Sequence, residues 1–386
     1  FHRPGQLCTL SRRLLDRYRC TRIVDDIQKS IELAKEAVNL VPSDHPQRIY
    51  CLQCLSLALE QSSIAAGSLT HLEEAIKLSQ EILAASSTDH PDRAIFLSDL
   101  STQLVHRYEQ FGAVVDLEEA IQLMQESRCL MQENNGNTLS NPSWQVPYLL
   151  ALSDQFGYYF QITNDIEKLN QAIDFAKEAA DLCPTGDLAR VSVLNNLGLL
   201  LGSRFQKTTS RVDLDEAVKA QREALKCASD NDTQRHMILG NLSERMVDIF
   251  RLNRKTSDLM EAVQLCWEAI ETAPEHHPNR AMYLNEIGTL LQEEGAESSG
   301  DMVDNLTPLE FFLKALAHQN SPPVDRIKAG QNAFNSYVMH EEWARARLVA
   351  KDVVKLFPLL IPRWLSRDDQ QRLLGNIAHF TSLAAS

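Results

Sequence analysis

The sequence predicts an all-α protein, a right-handed solenoid in which helix–turn–helix repeats of about 45 residues stack one after another. Three observations predict this fold. Glycine and proline, which interrupt helices, occur only fourteen times each in 386 residues. Two different amphipathic motifs recur along the chain, and both recur at the same spacing. A single helix pair cannot bury its own apolar face, so recurring pairs are expected to stack into one continuous array.

The first motif reads Leu-x-x-Leu/Ile-Ser/Gly and marks the first helix of each repeat, helix A. Its apolar residues recur at i, i+3 and i+7, as in Leu97, Leu100 and Leu104, so one face is expected to be buried. The small residue lets a neighbouring helix approach closely. An arginine stands eight residues upstream in every copy except the fourth, where Gln145 takes its place. The motif ends at Ser11, Ser56, Ser101, Ser153, Gly198, Ser243 and Gly288, in steps of 45 residues except one of 52.

Turn-forming residues precede helix A in three repeats. They read SDHPQR at 43–48, TDHPDR at 88–93 and EHHPNR at 275–280. Asp44 and Asp89 are suited to cap the free amides at the helix start, and proline suits a first turn because it has no N–H to satisfy.

The second motif marks helix B, the partner of helix A. Its copies LEEAIKLS, LEEAIQLM, LDEAVKAQ and LMEAVQLC begin at positions 72, 117, 214 and 259. In the second copy Leu117, Ala120, Ile121 and Met124 are expected to be buried, and the adjoining glutamates keep the other side in water. Proline follows several of these helices and stops them, because its ring clashes with the preceding turn. Small residues recur seven apart on the packing face, at Ala172 and Ala179, Ala217 and Ala224, and Ala262 and Ala269.

This arrangement resembles the tetratricopeptide repeat, a helix–turn–helix unit of about 34 residues. Seven extra residues lie between the two helices here, and four more fall between Pro42 and Ser56. The final repeat lacks the extra seven. The resemblance implies seven long repeats in 1–322, one shorter repeat in 323–358 and a C-terminal helical segment in 359–386.

Two segments depart from the repeat pattern. Residues 132–142 are polar and turn-rich, and they are expected to form an exposed loop that accounts for the 52-residue step. Helix B of the seventh repeat, expected within 307–319, matches its motif poorly.

The long repeats show a further resemblance. DLEEAI, DHPDR and LNNLG in 45-residue steps look like the tetratricopeptide arrays of large fungal CHAT proteins. Residues 356–386 are similar to the stretch that leads into the caspase-like CHAT domain of that family. The resemblance implies that this chain is the regulatory arm of a CHAT-type protease whose catalytic domain begins after Ser386. It assigns no catalytic residue to this chain.

Charge and composition exclude several classes of partner. The net charge of −14 and the pI near 5.3 argue against nucleic acid or an anionic membrane surface, since both require a basic protein surface. No stretch approaches the roughly 18–20 apolar residues that cross a bilayer. The first residues lack the apolar core of a secretory signal. The eight cysteines follow no regular framework, which favours a reducing, cytoplasmic setting.

The reactive side chains form no recognisable catalytic or cofactor site. Cys51 and Cys54 form a C-x-x-C pair, but no second ligand pair follows at zinc-site spacing, so packing or a free thiol is favoured over a metal or redox pair. His45, His90 and His277 occupy one repeat position and are expected to be turn residues that do not converge. No phosphate-binding or nucleophile-elbow motif occurs. We therefore expect no enzymatic activity, no cofactor and no metal.

The predicted function is recognition of a protein segment by a non-enzymatic scaffold. Tetratricopeptide arrays line their concave surface with helix A, and this resemblance implies that four positions around the small residue point inward. Asparagine can pair with an extended peptide backbone because it carries both a donor and an acceptor, whereas acidic side chains favour a Lys/Arg-bearing partner. The predicted groove residues are Asp99, Thr102, Asp154, Asn195, Asn196, Asn241, Glu244, Asp248, Asn285, Glu286 and Thr289.

Alternatives for the partner stay open at the level of sequence. The groove can hold a separate protein or peptide, or it can restrain the chain's own downstream CHAT domain. A free-standing adaptor similar to kinesin light chain, whose repeats are also longer than about 34 residues, would instead recruit cargo or signalling partners. An enzyme in its own right is disfavoured because no site is visible.

Overall fold

The computed structural model describes residues 3–135, 142–187, 189–229, 232, 234–293 and 306–360. Within these ranges the chain forms sixteen α-helices and no β-strand, which confirms the predicted all-α class. The helices fall into two compact units, Phe1–Thr185 and Gly186–Ser386, which we call the N-terminal and C-terminal units. In the same ranges, no helix is both long and apolar enough to span a bilayer.

Each unit consists of helix pairs, one pair to a repeat, with the odd-numbered helix as helix A and the even-numbered helix as helix B. The N-terminal unit contains α1 (Arg3–Thr21), α2 (Val24–Leu40), α3 (Arg48–Ala66), α4 (Leu69–Ala85), α5 (Arg93–Phe111), α6 (Val114–Asn135), a short 3-10 turn (Pro142–Gln145), α7 (Val146–Thr163) and α8 (Ile166–Leu182). The C-terminal unit contains α9 (Ala189–Thr208), α10 (Arg211–Cys227), α11 (Arg235–Asn253), α12 (Thr256–Thr272), α13 (Arg280–Glu293), α14 (Pro308–Ala317), α15 (Pro323–Met339) and α16 (Trp343–Leu360).

A two-residue turn joins helix A to helix B in six repeats, and its first residue adopts a left-handed backbone. Gly67 and Gly112, with φ of 63° and 69°, reach this conformation at no steric cost. The same position holds Arg22, Asn164, Thr209 and Arg254 in the other four. The extra seven residues predicted between the helices therefore lengthen the helices and form no loop. Helix α3 has 19 residues and α4 has 17, so the added backbone is hydrogen-bonded within helices.

The small residue of helix A lies against helix B, as predicted, and a serine there also makes a hydrogen bond. Ser56 Oγ donates to the carbonyl oxygen of Ala75 at 3.0 Å. Gly198 replaces serine where helix B carries a bulky side chain, since an ideal β-carbon at Gly198 would lie 2.5 Å from Gln221 Cγ. The equivalent serine bond, always to the residue nineteen positions onward, is made by Ser11, Ser101, Ser153 and Ser243.

The arginine at the start of helix A binds the end of the preceding helix B. Arg280 Nη1 donates to the carbonyl oxygen of Ile270 at 2.7 Å. Such carbonyls lie in the last helical turn, where no partner exists within the helix. Arg326, eight residues before Phe334, makes the same type of contact with Leu316 in the last repeat. Corresponding contacts are made by Arg48, Arg93 and Arg235.

Histidine stabilises the turn before helix A. His45 Nδ1 accepts a hydrogen bond from the backbone N–H of Gln47 at 3.1 Å. The same bond recurs at the equivalent histidines, His90 and His277, so all three are turn residues as predicted. The prediction that Asp44 and Asp89 cap helix A is wrong. Helices α3 and α5 begin four residues after these aspartates, and no side chain caps either helix.

Helix B supplies small, fully buried side chains to the core. In α6, Leu117, Ala120 and Met124 are at most 1% exposed, while Glu118 and Glu119 face solvent, which confirms the amphipathic pattern. The predicted pairs of small residues seven apart are completely buried: Ala172, Ala179, Ala217, Ala224, Ala262 and Ala269.

Two predicted segments extend beyond the described ranges. The polar run 132–142 begins inside α6, which continues to Asn135, and its residues 136–141 lie outside the description. The predicted C-terminal segment 359–386 is described only to Leu360, where α16 ends after passing Pro358. The seventh helix B, expected within 307–319, is α14.

Candidate peptide-binding face

The candidate site consists of the predicted groove residues and the polar side chains that contact them on the odd-numbered helices, together called the helix-A face. Asp154 and Glu244 are exposed, whereas Asp248 and Asn285 are only 5% and 4% exposed. Because the two units are separate compact bodies, their parts of the face are described separately. The other predicted groove residues are half-buried: Asp99, Thr102, Asn195, Asn196, Asn241, Glu286 and Thr289.

Three of the asparagines predicted to bind a peptide pair with asparagines of neighbouring repeats in the C-terminal unit. Asn241 Nδ2 donates to Asn195 Oδ1 at 3.0 Å, and Asn332 Nδ2 donates to Asn285 Oδ1 at 2.9 Å. In each pair, one residue lies three positions before the small residue of its repeat, and the other lies two positions before the equivalent residue of the next repeat, which is Ser243 or Phe334. These amides therefore link adjacent A helices, and each keeps further hydrogen-bonding capacity for a ligand.

The predicted threonines bond to their own helices. Thr102 Oγ1 donates to the carbonyl oxygen of Ser98 at 3.0 Å, and Thr289 Oγ1 donates to that of Asn285 at 2.9 Å. The hydroxyl protons are therefore used internally, which leaves only the oxygen lone pairs for a partner.

Three carboxylates of the N-terminal unit form its part of the face: Glu60, Asp99 and Asp154. Burial, followed by repulsion from Asp99, raises the pKa of Glu60 to about 7. Burial raises the pKa of Asp99 to about 6, although Gln53 Nε2 donates a hydrogen bond to its Oδ2 at 2.9 Å. Desolvation and then repulsion from Glu109 raise the pKa of the exposed Asp154 to about 7. Among the described residues, no lysine or arginine forms an ion pair with any of these three.

Buried neutral groups surround Glu60. Gln103, which is fully buried, donates from Nε2 to Ser56 Oγ at 2.9 Å and lies 3.5 Å from Glu60 Oε2. His106 Nδ1 lies 3.5 Å from Glu60 Oε1, and burial lowers the pKa of this histidine. The carboxylate therefore has weak hydrogen bonding and no strong counter-charge, which accounts for its raised pKa.

Two tyrosines stand beside the acidic residues of α5 and α7. The Tyr158 hydroxyl donates to Glu109 Oε1 at 2.8 Å, and burial raises the pKa of Tyr158. The Tyr108 and Tyr158 rings lie 5.9 Å apart. Aromatic faces next to carboxylates are the surroundings that a guanidinium or ammonium group prefers.

The helix-A face of the C-terminal unit contains a polar pocket of about 430 Å³. Three predicted residues line it, Glu244, Asp248 and Glu286, together with Arg245. Arg245 Nε donates to Asp248 Oδ2 at 3.1 Å, and its Nη2 donates to Glu244 Oε2 at 2.9 Å. Burial, then repulsion from Glu244, raises the pKa of Glu286.

Arg245 and Glu60 are face residues that the sequence argument missed. Arg245 is 6% exposed and packs over Gly202, where an ideal β-carbon would lie 1.8 Å from Nη1. The charged residue that ends the mostly apolar stretch LSLALE was a signal that could have found Glu60.

The described residues contain no group of three or more His, Cys, Asp or Glu side chains arranged to hold a metal ion. His236 Nε2 does lie 3.0 Å from His277 Nε2, between the start of α11 and the turn before α13. Burial lowers the pKa of both rings, so they form a neutral hydrogen-bonded pair near pH 7.

Comparisons with known proteins give one family match and several similar structures. Residues 190–232 match the tetratricopeptide repeat family, and no curated protein sequence matches the chain. A kinesin light chain-like array of nearly identical TPR-like repeats from Podosopora anserina is 18% identical, with a TM-score of 0.40, over 58% of this chain and 98% of that one. BtubC (BKLC) from P. vanneervenii is 17% identical, with a TM-score of 0.42, over 65% of this chain and 89% of that one. A chain of the APC/C hetero-tetramer Cut9–Hcn1 is 12% identical, with a TM-score of 0.48, over 89% of this chain and 52% of that one.

The family match covers α9, α10 and the turn that follows them. The structural features of this repeat recur at corresponding positions elsewhere: the small residue against helix B and the left-handed turn between the helices. Residues 190–232 are therefore the part of the chain that matches the tetratricopeptide family, and other helix pairs share its left-handed turn and close helix contact.

Proposed function

We propose that the array is a non-enzymatic scaffold that binds a Lys/Arg-bearing protein segment on the helix-A face of its N-terminal unit. The observation that carries this proposal is the set of Glu60, Asp99 and Asp154, whose pKa values are raised and which form no ion pair with a lysine or arginine among the described residues. Charging these carboxylates costs free energy in the unbound protein, and a bound cation offsets that cost.

The neighbouring tyrosines favour arginine as the contact residue of the partner. A guanidinium can stack on an aromatic ring while its planar N–H groups bind a carboxylate, and an ammonium cannot do both with the same geometry. Tyr108, Tyr158 and the exposed Asp154 present this combination on neighbouring helices. We therefore expect arginine-containing peptides to bind more tightly than their lysine counterparts.

The test compares fluorescently labelled Arg-rich, Lys-rich and Glu-rich peptides by fluorescence anisotropy. The test variant Glu60→Gln/Asp99→Asn/Asp154→Asn removes three charges from the face. We expect it to bind the Arg-rich peptide at least ~10-fold more weakly, a change of about 1.4 kcal/mol.

A matched control removes the same number of charges from exposed positions on the B helices, Glu32→Gln/Glu81→Gln/Glu119→Gln. It is expected to keep most of the affinity. An equal loss in both variants would mean that only net charge matters, and failure of the Arg-rich peptide to bind the wild type above the Glu-rich peptide would refute the proposal.

We further propose that the array is the regulatory arm of a CHAT-type protease. The support is the sequence resemblance of DLEEAI, DHPDR, LNNLG and residues 356–386 to the arrays of fungal CHAT proteins. Sequencing the transcript beyond the Ser386 codon tests it. An open reading frame for an α/β domain with paired His and Cys residues is the expected result. A stop codon at that point would instead favour the free-standing adaptor.

A further inference from the structure

Three cysteines from the first two repeats lie together inside the N-terminal unit. Cys8 lies on α1, whereas Cys51 and Cys54 lie on α3, and each is at most 1% exposed. The Cys8 thiol donates to Cys51 Sγ at 3.5 Å. The third thiol that the C-x-x-C motif lacks in the sequence thus comes from the preceding repeat.

A pocket leads to this cluster from the surface. Its volume is about 770 Å³, and it lies between the first turns of α1 and α3. Cys51 and Tyr50 form part of its lining, together with Gly5 and Thr9, whereas neither Cys8 nor Cys54 does. Cys51, although 0% exposed, is therefore the cysteine of the cluster that lies nearest to a small reagent in the pocket.

The three thiols differ in acidity. Hydrogen bonding to Cys54, then burial, raises the pKa of Cys8, and burial raises that of Cys51. The hydrogen bond from Cys8 lowers the pKa of Cys54, and the charge of Arg12 lowers it further. Cys54 is therefore the cysteine of the cluster that holds negative charge most readily. The Cys8 thiol links it to Cys51, which lies beside the pocket.

We propose that Cys8 and Cys51 are a redox-modification site, at which a hydroperoxide converts the two thiols into a disulfide that links α1 to α3. Cys51 loses its proton as its sulfur attacks the peroxide O–O bond, forming Cys51–SOH, and the departing oxygen takes up that proton and leaves as an alcohol, or as water from hydrogen peroxide. The Cys8 sulfur then attacks the Cys51 sulfur, and the S–O bond breaks as the hydroxyl leaves with the Cys8 proton as water. Two thiols are oxidised, and one peroxide is reduced to an alcohol and water.

The geometry requires only a small movement. The two sulfurs must approach from 3.5 Å to about 2.05 Å, which is within the adjustment that side-chain rotation on two packed helices can provide. The new bond joins residues 43 positions apart and closes a loop through the whole first repeat. It therefore restricts the unfolded chain and stiffens the packing of repeat 1 on repeat 2.

The test uses the full chain with its three exposed cysteines replaced, Cys20→Ser/Cys129→Ser/Cys227→Ser, so that reactions at the surface do not interfere. The protein is treated with hydrogen peroxide, alkylated under denaturing conditions, digested without reductant and analysed by mass spectrometry. We expect a peptide pair linked through Cys8 and Cys51 that a dithiol reductant separates. The midpoint of thermal unfolding is expected to rise by several degrees on oxidation, and to return on reduction.

Buried cysteines outside the cluster serve as internal controls. Cys183 and Cys266 are also buried, and both should be recovered as free, alkylated thiols. Recovery of Cys8 and Cys51 as free thiols to the same extent would overturn the proposal. So would a crosslink that persists in Cys51→Ser and disappears in Cys54→Ser. Because the main measurement leaves the cluster intact, it does not depend on whether these two variants fold.

Discussion

Glu60 offers the sharpest test of the electrostatics of the helix-A face. Its side chain is buried on α3 and faces Gln103 and His106 of α5, with Asp99 nearby and the more distant charge of Arg19 acting in its favour. Replacing it by glutamine keeps the shape and the neutral hydrogen bonds while removing the charge. We expect Glu60→Gln to stabilise the protein above pH 7 and to change it little at pH 5.

The magnitude follows from the pKa. A carboxyl group with an ordinary pKa of 4.5 in the unfolded chain and about 7 in the folded protein costs about 3 kcal/mol when it is ionised in both states. Because the folded-state pKa is the higher one, the folded protein binds more protons between about pH 4.5 and pH 7. The free energy of unfolding therefore decreases as the pH rises through this window. Between pH 5 and pH 8 the contribution of Glu60 changes by about 2–3 kcal/mol.

Urea unfolding of wild type and Glu60→Gln at pH 5, 6, 7 and 8 measures this contribution as the pH-dependent difference between the two proteins. Groups common to both largely cancel. Glu119→Gln, which removes an exposed charge from α6, is the control and should show a difference of less than ~0.5 kcal/mol at every pH. A difference for Glu60→Gln that stays constant from pH 5 to pH 8 would refute the argument, because it would mean that Glu60 has an ordinary pKa in the folded protein.

Two further predictions concern contacts between helices. Ser101→Ala removes a buried hydroxyl that donates to the Ala120 carbonyl oxygen at 2.7 Å and accepts from Gln155 Nε2 at 2.9 Å; we expect a loss of about 1–3 kcal/mol in the free energy of unfolding, measured in urea. Gly202→Ala places a β-carbon where the Arg245 guanidinium lies, so we expect a loss of about 1–3 kcal/mol, measured by thermal unfolding.

Each of these substitutions has a matched control. Ser87→Ala removes a hydroxyl from an exposed residue, and Gly5→Ala adds a β-carbon in α1 where no atom lies within 4 Å. The first should be neutral, and the second neutral or stabilising by up to about 1 kcal/mol. If Gly5→Ala and Gly202→Ala had the same effect, helix propensity and not crowding would explain both.

Local periodicity was enough to predict the repeats. The step between equivalent residues located every small residue of helix A, and the arginine eight positions upstream gave the same spacing, although its contact with the preceding helix B was not predicted. The small residue and the arginine contact residues of their own or the adjacent repeat, so the pattern seen in one repeat predicts the positions of both residues in the others. The inter-helix insertion was misplaced because a count between two anchors cannot tell a longer helix from a longer loop.

A second repeated contact shows how a visible signal was missed. An arginine six positions after the small residue binds an aspartate nine positions later through two hydrogen bonds, near the start of helix B. The aspartates are almost fully buried. The pairs are Arg17–Asp26, Arg107–Asp116 and Arg204–Asp213. The spacing was present in the sequence, but only three repeats carry both residues.

The site was less predictable than the fold, because its properties depend on side chains from successive repeats. The sequence could place Asp99 on the face, but not show that Gln53 already bonds to it. It also could not show that the charge of Asp99 raises the cost of ionising Glu60, a residue that was not predicted to lie on the face. Inter-repeat distances, and therefore pKa values, depend on how the helices stack, and no periodic pattern encodes them.

Neutral hydrogen bonds stack the repeats of the N-terminal unit, whereas its helix-A face carries carboxylates. Ser56 and Ser101 join helices through neutral hydrogen bonds, each between a helix B carbonyl and a glutamine of the next repeat. Glu60 contributes nothing comparable to this packing and lowers stability at neutral pH. If Glu60 served only the fold, removing its charge would raise the free energy of unfolding and leave peptide binding unchanged. If Glu60 binds cations, removing its charge also lowers the affinity for the peptide. Glu60→Gln should therefore raise the free energy of unfolding and weaken binding of an Arg-rich peptide in the same protein, an opposition typical of functional sites. Stabilisation without loss of binding would leave Glu60 outside the site while leaving its raised pKa intact.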